Sequence, residues 1–426
     1  MLLGYACALP QNRLENDPVI MSFAKNQIIK ELNALDEQFL RRRLRSVDSP
    51  CGTRLRIAGR ELQAFCSNDY LGFANHPDLI NAIAKGASQF GVGSGASHLI
   101  SGHHQIHDAL EEKLASTQAN AIPGAKALFF STGYLANISA ITGLSKLNNQ
   151  QTRLYSAALN HASLIDGLRL AKGHANTDLF IFNHHNLDSL KEELKNDSSE
   201  HKLIVTDGVF SMDGDLAPIA TLLQLAEDYD ALLLVDDAHG FGVLGKHGYG
   251  ILEGSGLRSE RLIYIGTLGK AAGLSGAFVC ANELLIEWLI QKARPYIYST
   301  ASSPALAYAL IRSLELIEGS EGQERRESLK SNIALWKQLT QFKVWNKLNS
   351  DTAIQPIVVG GNEIALQIAK ELDLAGYWIP AIRPPTVPKG MARLRMTLSA
   401  THTHTQIRAL SETLLSLETR LELNKS

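Results

Sequence analysis

The apolar positions of the chain follow two rhythms. From Phe23 to Leu44 they recur at helical spacing, with Ile28, Ile29, Leu32, Leu35, Phe39, Leu40 and Leu44 on one face, which predicts an amphipathic helix over 23–44. Leu62–Phe65 reads as a short strand. From about residue 125 to 280, apolar runs alternate with longer helical stretches. Leu128–Phe130, Leu203–Thr206, Ala231–Val235 and Leu262–Ile265 are nearly continuous in Leu, Val, Ile and Phe, the pattern of strands buried on both faces. Strands alternating with helices predict an α/β fold: a mainly parallel sheet with helices on both sides and strand-end loops converging on one crevice. Past Thr300 the chain turns helical, from Pro304 to about Leu316 and again over 323–342. Strands near Ile354–Val359 and Arg393–Leu398 and a final helix follow, a smaller α+β unit. Pro384, Pro385 and Pro388 stiffen the segment between those strands. The expected division is residues 1–65 as an N-terminal extension and helical segment, 66–300 as the large domain, and 301–426 as the small one.

Composition narrows the function without naming it. The chain of 426 residues is long enough for two domains. Its net charge of −2 gives no pull toward nucleic acid or an anionic membrane. Four cysteines, Cys7, Cys51, Cys66 and Cys280, stand far apart. That argues against a zinc ribbon or disulfide framework and fits a reducing cytoplasm. No apolar run is long enough to span a bilayer, and no secretory signal is expected at the N-terminus. Residues up to about Pro18 read as an irregular polar extension, with Met21 as a candidate start where the helical pattern begins.

The chemistry concentrates at two strand ends. Leu262–Ile265 runs into Gly266-Thr267-Leu268-Gly269-Lys270, which puts a lysine where an open α/β sheet builds its ligand site. A desolvated lysine has a lowered pKa and a nucleophilic amine able to form a Schiff base. A P-loop is excluded, because it needs glycine where Tyr264 stands and Ser or Thr where Ala271 stands. One strand earlier, the run Ala231–Val235 ends in Asp236-Asp237-Ala238-His239-Gly240. A carboxylate there is costly unless it meets a cation or hydrogen-bond donors. The protonated ring nitrogen of pyridoxal 5′-phosphate (PLP) is such a cation. At ~4 Å and an effective dielectric of ~20 the attraction is about 4 kcal/mol, or roughly three pK units. The protonated ring then serves as an electron sink for a substrate carbanion. A surface lysine and a capping aspartate are the plainer alternatives; the two motifs together favour PLP.

Other motifs surround this pair. Ser131-Thr132-Gly133-Tyr134 opens a helix after a strand, a cup for the cofactor's phosphate or an ordinary N-cap. Asn160-His161-Ala162-Ser163 places a histidine that stacks over the ring or caps a helix; sequence leaves both open. Ser211, in the turn-rich stretch Asp207–Asp215, is a hydrogen-bonding candidate for the cofactor. Arg41-Arg42-Arg43 with Arg45 is a solvated helix end or a clamp for an anionic substrate tail. Arg383 and Arg395 flank the proline segment, where a bidentate arginine suits a substrate carboxylate. His98, His103, His104 and His107 lack a convincing ligand spacing, so no metal is expected. The run from Thr401 to Thr405 caps the last helix.

Taken in order, Ser67–Gly72, Gly93–Gly95, Thr132–Tyr134, His161–Ser163, Val209–Asp215, Asp236–Gly240 and Thr267–Lys270 resemble the α-oxoamine synthases, fold-type-I PLP-dependent transferases. The resemblance runs from about residue 25 to the C-terminus. It implies a large domain with a mainly parallel seven-stranded sheet and a smaller α+β domain. It also implies roles. Lys270 carries PLP as a Schiff base, Asp236 faces the ring nitrogen, and His161 stacks on the ring. Ser211 and His239 lie near the ring oxygen. Gly133, Tyr134 and Thr267 hold the phosphate, with Thr300 reaching it from the other subunit of a homodimer. Arg41, Asn68, His161, Thr386 and Arg395 bind substrate. The segment Ala381–Pro388 with Ala392–Arg395 is similar to the branch that condenses L-alanine with a pimeloyl thioester, on coenzyme A or an acyl carrier protein. A sister branch using glycine is the alternative.

Overall fold

The strand-forming runs assemble into one seven-stranded sheet. In the computed structural model, which describes residues 22–146, 151–174 and 176–423, its order is Ala125–Phe130, Ala277–Asn282, Leu262–Thr267, Leu232–Asp236, His201–Asp207, Thr152–Ala157 and Thr177–Phe182. The five strands from Leu262–Thr267 to Thr177–Phe182 pair in parallel. Ala277–Asn282 runs antiparallel to both its neighbours. The sheet is thus mainly parallel, as the alternation of strands and helices predicts. The expected extension over residues 1–20, Met21 and Cys7 lie outside the described residues.

Every residue of His201–Asp207 and of Leu262–Thr267 is buried, because helices cover both faces. Successive side chains point to opposite sides. Leu203 and Val205 pack with Ala136, Ile141 and Leu164 on one side. Ile204 packs in a second core with Leu110, Leu222 and Leu310 on the other. Burying each such leucine or isoleucine is worth roughly 1.5–3 kcal/mol, so the apolar runs fix the sheet's place at the centre.

The helix predicted over 23–44 is shorter, Ser22–Glu37. Phe39 takes φ 56°, a left-handed conformation. The Leu40 N–H then reaches back to the Leu35 carbonyl at 2.8 Å, a helix-terminating turn. Apolar spacing continued past this point, but the backbone did not. The arginine run Arg41–Arg45 is consequently outside the helix.

The smaller unit holds a four-stranded antiparallel sheet in the order Asn346–Lys347, Ile354–Gly360, Ala392–Thr397, Ala381–Ile382. A hairpin near the start of the chain, Arg54–Ile57 with Arg60–Ala64, turns through Ala58 and Gly59 at φ 48° and 76°, the twist a two-residue hairpin prefers. Its second strand pairs with Tyr377–Trp378, so segments from both ends share a sheet. Helix His404–Leu423 starts at a capping box. Gln406 N–H donates to Thr403 Oγ1 and Thr403 N–H to Gln406 Oε1, at 3.2 and 2.9 Å. No helix among the described residues is long and apolar enough to cross a membrane.

The small unit grips the loop Ser67–Gly72. Thr397 Oγ1 donates to the Ser67 carbonyl at 2.8 Å and Ser399 Oγ to the Asp69 carbonyl at 3.0 Å. That grip carries the loop to the carboxyl ends of the large sheet, where the crevice lies.

Candidate active site

Lys270 stands three residues beyond strand Leu262–Thr267. Its Nζ lies 2.9 Å from His239 Nε2. His239 Nδ1 lies 2.6 Å from Tyr70 Oη, and Tyr70 donates to Asn68 Oδ1 at 3.2 Å. A phenol has one proton. With that proton on Asn68, Tyr70 accepts from His239 Nδ1–H, and His239 Nε2 is left to accept from the lysine. Burial holds the His239 imidazole well below its ordinary pKa, and the Lys270 and Arg395 charges push the same way. It is therefore neutral, as this direction of bonding needs. Burial also brings the Lys270 amine down to about 8, against the opposing pull of Asp236. An amine titrating there is partly unprotonated near neutrality and so available as a nucleophile or base.

Asp236 closes the neighbouring strand and is 5% exposed. Its Oδ2 accepts from Asn137 Nδ2 at 2.6 Å and its Oδ1 from the Ala238 N–H at 3.0 Å. Both donors are neutral, so the carboxylate meets no cation at ion-pair distance among the described residues. Asp207 is its register partner on the next strand. Burial first, then the Asp236 charge, raises the Asp207 carboxyl well above the usual range. Asp207 accepts the His161 N–H at 2.7 Å, which anchors the start of helix Ala162–Lys172. His161 itself is exposed at the crevice. Its Nδ1 faces Ser163 Oγ at 2.7 Å and accepts the Ser163 N–H at 3.2 Å. It therefore caps the helix and presents its ring to the open side at once.

Helix Gly133–Leu144 begins beside Thr267. A Cβ on Gly133 would lie 3.8 Å from Thr267 Oγ1. Thr132 caps the helix by accepting the Leu135 N–H at 3.2 Å. The first N–H groups of a helix lack intrahelical partners, so those of Gly133 and Tyr134, next to a hydroxyl, are suited to an anion. The Tyr134 phenol points away to Asp166 Oδ2 at 2.5 Å. Thr300 is exposed and bridges to Ser97 in the glycine-rich loop. A buried amine of lowered pKa, a buried carboxylate without a cation and a helix N-terminus beside a hydroxyl make a donor set that fits PLP.

On the substrate side, Arg395 is 7% exposed. Its Nε donates to the Ser211 carbonyl at 2.7 Å and its Nη1 to Asn68 Oδ1 at 3.3 Å. No carboxylate pairs with it among the described residues, so its charge is open to an incoming anion. Thr386 sits elsewhere, in a cavity of about 270 Å³ with Asn160, Phe210, Met212 and Arg393. Arg41 is paired with Asp36 at 2.6 Å. It lines a further cavity of about 420 Å³ with Arg43, Arg45, Trp378 and Arg383. The structure thus brings Lys270, His239, Asn68, Arg395, Ser211, Asp236 and His161 to one place. It sets Arg41 and Thr386 in flanking cavities.

Three site residues had no role in the sequence reading. Tyr70 orients His239, Asn137 holds Asp236, and Asp207 anchors His161. Tyr70 and Asp207 lay inside recognised stretches and Asn137 just beyond Thr132–Tyr134, but nothing local shows that an amide on a helix faces a strand-end carboxylate. Among the described residues, three groups of His, Asp and Glu have ligand atoms within 4.8 Å: His98/His103/His107, His103/Asp108/Glu111 and His184/His185/Asp215. In the first, His107 is already bonded at both ring nitrogens, to the His104 N–H at 3.0 Å and the Ser302 carbonyl at 2.9 Å.

Fold and site together define a fold-type-I PLP-dependent transferase. Residues 60–414 match the family model for aminotransferase class I and II. A serine palmitoyltransferase solved with PLP superposes with a TM-score of 0.81 at 28% identity, covering 93% of this chain and 97% of that one. An 8-amino-7-oxononanoate synthase structure from Francisella tularensis gives a TM-score of 0.70 at 30% identity, over 85% of this chain and 99% of the other. The 8-amino-7-oxononanoate synthase of Janthinobacterium sp. (strain Marseille) is 54% identical over 91% of this chain and 97% of its own. The chain belongs to the 8-amino-7-oxononanoate synthase family.

Proposed function

We propose that the protein condenses L-alanine with a pimeloyl thioester to give 8-amino-7-oxononanoate, carbon dioxide and the free thiol, a step of biotin biosynthesis. The observation that carries this is the pairing of a lowered-pKa lysine with a buried, cation-free carboxylate on adjacent strands, within a chain so similar to relatives of that name.

PLP, when bound, supplies the electron sink that makes loss of the alanine Cα proton feasible. The chain's own groups do the rest. Lys270, left partly unprotonated near neutrality by burial, takes that proton. His239 accepts from the lysine and keeps its nitrogen directed. Arg395 holds the amino acid's carboxylate, and Asn68 orients the guanidinium. Gly133, Tyr134 and Thr267, with Thr300 from a second subunit, hold the phosphate. Ser211 and His239 border the ring oxygen, and His161 covers the ring's face and touches substrate. Arg41 and Thr386 receive the acyl donor along the flanking cavities. In the overall exchange the alanine Cα replaces the thiol on the acyl carbon, and the alanine carboxylate departs as carbon dioxide.

The acyl donor is carried on coenzyme A or an acyl carrier protein. The working unit is a homodimer, supported by the exposed Thr300 and the exposed Ile100 and Tyr298 nearby. The unpaired thiols of Cys51, Cys66 and Cys280 support a cytoplasmic setting. A thiol-release assay with alanine, glycine and serine against pimeloyl and acetyl thioesters tests the proposal. Alanine with pimeloyl thioester is expected to turn over fastest. Preference for glycine with an acetyl donor would move the chain to the sister branch.

A further inference from the structure

We propose that Asn137 is a positioning residue that ties the carboxylate facing the cofactor's ring nitrogen to the imidazole lying over the ring. The proposal rests on the PLP reading above and extends it to a residue outside the recognised roles. Asn137 is 1% exposed, on helix Gly133–Leu144. It lies four residues past Gly133, about 6 Å along the helix axis from the phosphate cup. One rigid element therefore sets both the phosphate end and the nitrogen end of the cofactor site.

The hydrogen-bond direction follows from chemistry. A carboxylate only accepts, so the amide group 2.6 Å from Asp236 Oδ2 is the NH₂. The same nitrogen donates its second hydrogen to Ser163 Oγ at 2.8 Å. Ser163 Oγ, accepting there, turns its own hydrogen toward His161 Nδ1 at 2.7 Å. Nδ1 is thus an acceptor, and the neutral imidazole carries its proton on Nε2. The atoms packed around its inner side desolvate the His161 ring, though its open side is exposed, and favour this neutral form. The relay runs outward from Asn137 in two directions, and its Oδ1 is buried without a partner. An unsatisfied buried oxygen is a cost the fold bears at this position; an apolar side chain of similar size would avoid it and would also lose both donors.

Without Asn137, Asp236 Oδ2 loses a charge-assisted hydrogen bond, and its carboxylate is no longer held in place on that side. Its hold on the ring proton changes, and with it the pH at which the bound cofactor's visible absorbance titrates. The test compares wild type with Asn137→Leu and Asn137→Ala, each loaded with PLP. The second variant is smaller than the native residue and cannot overpack. Absorbance is followed from pH 5 to 10, and PLP affinity is measured by fluorescence quenching. We expect the midpoint to move upward by about one unit, as loss of a hydrogen bond to a charged group implies, with PLP affinity about tenfold weaker. Variants that melt at lower temperature yet titrate at the wild-type midpoint would show a packing role and overturn the inference alone. A wild-type protein with no visible band under excess PLP would overturn the PLP reading as well.

Discussion

Replacing Asp236 by asparagine removes one negative charge and almost no volume, so its effect separates electrostatics from packing. The carboxylate is 5% exposed and held by the neutral donors Asn137 and Ala238, so among the described residues no cation neutralises it at ion-pair distance. A cationic ring nitrogen ~4 Å away in an effective dielectric of ~20 gains about 4 kcal/mol from it. That corresponds to roughly three powers of ten in rate if the full amount is felt in the transition state. The new amide can accept from Asn137 through its oxygen, but its NH₂ then faces the Ala238 N–H. Two opposed donors cost about 1–3 kcal/mol of stability, which circular dichroism melting reads independently. The assay is thiol release at saturating alanine, pimeloyl thioester and PLP. We expect kcat to fall by about 10³ while the protein remains folded. A folded Asp236→Asn enzyme within about threefold of wild type would refute the reasoning, because the charge would then do nothing at the ring.

Two further predictions follow from the geometry. In cofactor-free protein the Lys270 amine titrates at about 8 rather than the ordinary 10.5, so its labelling by an amine reagent is expected to have a midpoint there. Because the folded value lies below the unfolded one, this lysine destabilises the fold in full below pH 8. The penalty is relieved as pH rises from 8 toward 10.5, where the unfolded chain binds more protons, and urea melts across that range check the sign. Gly250 takes φ 96°, and a Cβ there would lie 2.1 Å from Asp237 Oδ2 and 2.2 Å from Tyr264 Oη. Gly250→Ala is expected to cost on the order of 3 kcal/mol in denaturant midpoint, by breaking the Tyr264–Asp237 bond of 2.8 Å. An unchanged midpoint would show that the loop simply moves aside.

The strand ends that carry Lys270 and Asp236 were legible because a fully buried parallel strand must be apolar throughout. A charge at its end then stands out against the run before it. The helix over 23–44 was overextended for the converse reason. Apolar spacing reports which face would be buried, and it is blind to the left-handed turn at Phe39 that stops the backbone. The capping box at Thr403 and Gln406 was partly visible, since its residues lie three apart and act locally.

By itself, then, the sequence determined the most apolar strands, the α/β class and the two charged strand ends, all of which depend on contacts within a few residues or on burial of whole runs; the strands Thr152–Ala157, Thr177–Phe182 and Ala277–Asn282 were not read from it. Only the tertiary structure decided the partners: Tyr70 on His239, Asn137 on Asp236, and Arg395 between Ser211 and Asn68. Those pairs are separated by 169, 99, 184 and 327 positions. At such separations no local periodicity carries information. What brings the groups together is the order of strands in the sheet and the docking of the small unit on the loop Ser67–Gly72, both set by burial of the core rather than by the polar residues it delivers.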